Sequence, residues 1–213
     1  MGVTLVPRLG VPAQALGAEY IVAPPTGPSG SAVEHRVRII GSVDGTSLTY
    51  EGTTPAGAPM TLNAGQWKDV ATTSAFVVSA QDDDHPFIVV SFIQGAEPGA
   101  SVMVAPQQFR TSYSFLAPVS YPTNYCDVIV PDGATVTLDG ATAGGFLQAI
   151  GSTGWSIRRI MLSSGPGLDG KHRLESTLPV GLQVMGYGWA TSYYYPGGLN
   201  LSIISEPPPI IIE

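Results

Sequence analysis

One stretch of this chain is written twice, and that constrains its fold more than any other feature. Residues 44–52 read DGTSLTYEG and residues 132–140 read DGATVTLDG, an offset of 88 (132 − 44). Ahead of each copy a short run ends in Ala-Pro, at 19–24 and at 112–118. Behind each copy a proline opens an apolar run that ends in glycine, at 86–95 and 179–188, an offset of 93 (179 − 86). Three landmarks recurring in one order predict a duplicated unit of roughly ninety residues, too long for a solenoid period and right for a small domain.

The interior of each unit has period two. Arg36-Val37-Arg38-Ile39, Thr46 to Tyr50 and Ala134 to Leu138 alternate polar with apolar, the pattern of strands with one face on a core and one in water. Asp-Gly pairs at Asp44-Gly45, Asp132-Gly133, Asp139-Gly140 and Asp169-Gly170 supply the positive φ of tight turns. Phe87 to Phe92 and Trp155 to Leu162 are denser and predict central strands. Residues 11–17 form the best helical segment, under two turns long. Charged residues are only 12% of the chain while Gly (26) and Pro (19) abound, which favours short strands over helices. The reading is all-β: a lead-in at 1–15, one β-sandwich-like repeat at 16–96, a joint at 97–108, a second repeat at 109–205, and a Pro-rich linker at 206–213. Repeats this small bury modest cores, so the two are expected to pack together.

Charge excludes one class of partner. A net charge of −7 with nine Lys and Arg lacks the basic footprint of a nucleic-acid binder. The start has no basic-then-apolar signal pattern, and no apolar run reaches membrane-spanning length. Glu206-Pro207-Pro208-Pro209 reads as an extended linker toward further domains, so the chain is expected to be a piece of a longer secreted protein.

Candidate chemistry is sparse. Residues 165–172 approach a phosphate-binding loop, but His172 stands where magnesium needs Ser or Thr, and Pro166 removes a backbone donor; a Gly-rich hairpin loop is the plainer reading. Asp82-Asp83-Asp84-His85 offers Asp82 and Asp84 as possible metal ligands, yet successive carboxylates on extended chain point to opposite sides, which favours a solvated acidic turn. No metal and no cofactor is expected. His35, His85 and His172 lie far apart and no nucleophile elbow appears, so the reading is non-enzymatic. Cys126 lies in an apolar strand and reads as buried and structural. Asn200-Leu201-Ser202 is a glycosylation sequon in a strand-like run. The aromatic cluster is the best candidate for a ligand-binding site: Tyr187, Trp189, Tyr193, Tyr194 and Tyr195, set among glycines. Such residues carry binding energy at interfaces, and three successive tyrosines in a strand cannot all face one core. The alternative is that they close the second unit and plug its junction with the first.

Several of these segments resemble a known family. Leu16-Gly17-Ala18-Glu19-Tyr20-Ile21-Val22, Gln107-Gln108-Phe109 with Tyr113, Phe115 and Pro118, and Gly186-Tyr187-Gly188 with 192–199 are similar to the IgGFc-binding protein N-terminal domain, over about 16–205. The chain departs from it at 97–101, where the family has Gly-Asp-Pro, and at Gln107, where it has Glu. The family region usually begins further upstream, so the chain is expected to be truncated there. The resemblance implies an extracellular, non-catalytic, β-rich adhesion or ligand-binding module of a bacterial surface or secreted protein, with a protein or glycan on a cell surface or in mucus as partner. A structural spacer or fibre subunit with homotypic contacts is the alternative. Immunoglobulin specificity does not carry over, because no matched residue is established as its contact. Function is expected where the copies differ, at the aromatic end of the second.

Overall fold

The computed structural model describes residues 10–94, 99–163 and 169–205. The Pro-rich tail, the start of the chain, Glu97 and Pro98 of the joint, and 165–168 of the glycine-rich loop lie outside the described residues. Eight strands build the first unit: Glu19–Val22 (β1), His35–Gly41 (β2), Thr46–Gly52 (β3), Thr61–Leu62 (β4), Trp67–Thr72 (β5), Phe76–Ala80 (β6), Phe87–Ile93 (β7) and Ala100–Val102 (β8). They form two antiparallel sheets, ordered β1-β6-β3-β4 and β5-β2-β7-β8. Period-two alternation turns Val37, Ile39, Phe87 and Val89 inward, where they meet Tyr20, Phe76 and Val78 from the facing sheet.

The second unit contains Arg110–Leu116 (β9), Thr123–Pro131 (β10), Val136–Leu138 (β11), Ala141–Thr142 (β12), Phe146–Ala149 (β13), Trp155–Leu162 (β14), Lys171–Gly188 (β15) and Thr191–Pro196 (β16). Here the two sheets are not separate. β15 runs for 18 residues and serves both. Its first half pairs with β9 and β11, its second with β10 and β16, and the register shifts between Glu175 and Val180. The second unit is therefore a curled half-barrel, within the all-β class expected from the sequence. The cause is local: the first unit breaks between β6 and β7 through the acidic turn at 81–86, while the second carries on as one bent strand through 176–179.

Split at that bend, the second unit orders its strands β9-β15-β11-β12 and β14-β10-β15-β16, matching the first unit, with β13 added outside β14. A pair of tyrosines makes the likeness concrete. Tyr20 donates to Phe87 O (2.7 Å) and accepts from Gly17 N (3.1 Å). Tyr113, 93 positions on (113 − 20), donates to Val180 O (2.5 Å) and accepts from Arg110 N (3.0 Å). Asp139 and Gly140, with φ of 53° and 81°, close the two-residue turn between β11 and β12, as a primed hairpin turn requires. The short helical segment near the start is a single 3-10 turn, Ala13–Ala15.

The units share a seam. β10 is buried on both faces. Cys126, Val128 and Val130 point into the second unit's core, while Ile129, with Ile157 from β14, packs on Ile21 and Val77 of the first. Tyr125, Met185 and Tyr194 go further and join the first unit's own core.

Candidate functional site

The aromatic cluster divides by strand parity. Along β16, Tyr193 and Tyr195 lie against the second unit's core and Tyr194 turns the other way, into the first unit's core, with 2% exposure. The tyrosine that leaves the core of its own unit enters that of the neighbouring unit rather than reaching solvent or a partner. Tyr187 is half-buried and donates to Thr26 O (2.8 Å); Tyr193 donates to Asn124 Oδ1 (2.7 Å); Tyr195 donates to Leu116 O (2.5 Å). Burial pushes the hydroxyls of all four tyrosines above the ordinary tyrosine value, so they stay neutral donors. Trp189 differs: it stands at the tip of the β15–β16 turn, 97% exposed, beside Ala190 with φ 53°. Tyr121 stacks edge-on to Tyr193 (4.9 Å) and bonds the Thr191 hydroxyl, extending the aromatic surface toward that tip.

A charged cluster sits inside the seam. Asp127 Oδ2 accepts from Thr26 N (2.9 Å) and from Arg159 Nη1 (3.0 Å), and its Oδ1 accepts from the Thr26 hydroxyl (2.5 Å). Arg159 Nη1 also reaches Pro24 O (2.9 Å). Asp127 and Arg159 come from the second unit, Pro24 and Thr26 from the first, so the cluster locks the two together. Burial pushes the Asp127 carboxyl up to about 6, against the opposing pull of Arg159 and Thr26. Close by, His35 Nδ1 lies 2.7 Å from Ser91 Oγ, and burial, aided by the Arg159 charge, holds its ring down at about 3.

Asp82 holds His85 Nδ1 (2.5 Å) and Asp84 N (3.1 Å) within its own exposed turn. Among the described residues no group of three or more His, Cys, Asp and Glu is placed to hold a metal ion. His172 lies 2.8 Å from Asp139 Oδ2 and stacks on Phe115. Among the described residues, no histidine bonds both a carboxylate and a hydroxyl. Cys126 is buried and its thiol is held well above the usual range by burial and by Asp127 and Asp139. A cleft of about 260 Å³ opens between the units, lined by neutral groups including Thr53, Ser74 and Gln148.

One surface was not read from the sequence. On the outer side of β5-β2-β7-β8, the Arg38 guanidinium lies 4.1 Å from the Trp67 ring centre, pinned by Asp69 at 2.8 and 2.9 Å. Ile40, Ile88, Val90 and Phe92 share that outward face, only partly covered. The signal was present: 87–93 is apolar at both parities, which a strand with one wet face is not.

Together the fold and its surfaces define the class: an all-β protein of two fused units with aromatic patches on its surface. A family model described as IgGFc binding protein matches residues 9–186, and the chain belongs to that family, as the motifs implied. The match stops short of Trp189 and the tyrosine run. No curated protein matches the chain. Among the described residues no helix is long and apolar enough to cross a membrane.

Proposed function

We propose that this chain is an extracellular, non-catalytic module of a larger surface or secreted protein, binding a protein or glycan ligand through the aromatic end of its second unit. The single observation that carries the reading is Trp189, 97% exposed at a turn tip. Leaving a large indole in water forfeits roughly 2–3 kcal/mol of burial, which a ligand recovers. Tyr121, Tyr187, Tyr193 and Tyr195 are part-exposed rings behind it, whereas Tyr194 is buried and supports the scaffold. Membership of a family named for binding supports a protein ligand; its position in secreted or surface proteins supports the localisation. The matched strand orders and the paired tyrosines support reading the two units as copies of one ancestor.

The test is retention on immobilised immunoglobulin Fc fragments, mucin and a glycan array, comparing the wild-type chain with Trp189→Ala. Because the side chain touches little else, folding is unchanged. Binding to at least one surface is expected to fall tenfold or more. Equal retention by the two proteins removes this end as the contact site, and no retention of the wild type on any surface overturns the reading.

A further inference from the structure

The seam uses the outer face of β14-β10-β15-β16, and the first unit has the corresponding face open. Val90 of β7 and Gln183 of β15 are 93 apart (183 − 90), the spacing of the two tyrosines. Arg38 lies beside Val90 and Asp69; Asp127 lies beside Gln183 and Arg159. Each outer face thus centres on one Arg–Asp pair across the same two strands, with the charges exchanged. Ile40 beside Trp67 corresponds to Ile129 beside Ile157. In the second unit this face is buried against the first. In the first unit Trp67 is 55% exposed and Arg38 is capped only by its own sheet.

The surface onto which the seam docks also has a counterpart. The seam covers β1 and the segment carrying Ala23 and Thr26. Adding 93 places Leu116 and Val119 at those positions (116 − 23, 119 − 26). They are 57% and 42% exposed, and Tyr195 anchors beside them through Leu116 O. One molecule therefore carries an uncovered face at one end and an uncovered receiving edge at the other.

We propose that the Trp67–Arg38 face docks a second copy of this chain, head to tail, on the Leu116–Val119 edge, repeating between molecules the contact made once within each. Such a contact joins unlike surfaces, so it builds open chains rather than closed pairs unless its rotation happens to close.

The test is sedimentation velocity over a concentration series, with circular dichroism as the folding control. Wild type is expected to show reversible association. Trp67→Asp and Leu116→Asp are each expected to weaken it at least tenfold; Arg36→Glu, at a half-exposed position, repeats the first arm if Trp67→Asp disturbs folding. The deciding sample is the equimolar mixture of the two variants. Each retains one good surface, so the mixture is expected to form a 1:1 dimer and nothing larger. Wild type that stays monomeric at every concentration overturns the proposal. So does a mixture that stays monomeric, or association that Trp67→Asp abolishes and Leu116→Asp leaves intact, which would mean the face pairs with itself.

Discussion

Asp127 and His35 are shifted in opposite senses by the same burial, and their pH effects oppose each other. The Asp127 carboxyl rises from 3.8 to about 6. Its stabilisation is present below pH 3.8 and is lost as pH rises through about 6. His35 falls from 6.5 to about 3, so its stabilisation is present above pH 6.5 and is lost as pH falls through about 3. Between about pH 4 and 6 each group binds about one proton in one state and none in the other, with opposite signs, so their slopes nearly cancel. The two together are expected to leave stability in urea nearly flat with pH across that window. His35→Gln removes one of them, and stability should then fall as pH rises, with Asp127 alone setting the slope. A midpoint that stays flat or climbs with pH in His35→Gln would show that Asp127 does not set it. That Asp127 rises although Arg159 stands 3.0 Å away means desolvation exceeds the attraction between them.

Among the elements, the turns show which glycines are irreplaceable. Gly140 and Gly145 both have positive φ, 81° and 87°. A Cβ on Gly140 meets nothing, whereas on Gly145 it would stand 2.0 Å from Arg159 O. Gly140→Ala is expected to cost about 1 kcal/mol, the ordinary left-handed penalty. Gly145→Ala should cost several times more, because β13 must pull away from β14. Equal costs in chemical denaturation would mean that β13 contributes nothing to stability. The turn at Asp139-Gly140 was legible because its chemistry is local: two residues determine it. The two offsets, 88 and 93, also carried information, since the tyrosine bonds and the run behind each copy follow the 93 spacing. The bend in β15 was not legible. Ser176 to Pro179 reads like a strand break, and only pairing with four other strands keeps it continuous. The roles of Tyr193 to Tyr195 were half legible. Alternation separates Tyr194 from its neighbours, but nothing in one strand says that a second core lies on the other side.

At the scale of the molecule the two units are not separable. Tyr125, Met185 and Tyr194 of the second unit complete the core of the first, and Phe109, in the connection between them, packs edge-on against Trp155 at 5.8 Å. A chain built this way unfolds as one body, because opening either unit exposes apolar surface of both. Trp67 reports on the first unit and Trp155 on the second, so two single-tryptophan variants, each also lacking Trp189, follow the halves independently. Their urea transitions are expected to coincide. Tyr194→Ala then becomes the decisive substitution. It removes a ring that is 2% exposed, at a cost of about 3–5 kcal/mol. The residue belongs to the second unit's strand β16 but fills the first unit's core. Both reporters should shift to lower urea together. If only the Trp67 signal moves, the units unfold separately and the seam is a contact between two independent domains. If neither moves, Tyr194 is not the keystone its burial makes it. A coincident shift would place the stability of the whole module in the seam, leaving the Trp189 tip and the Trp67 face free to change without loss of the fold.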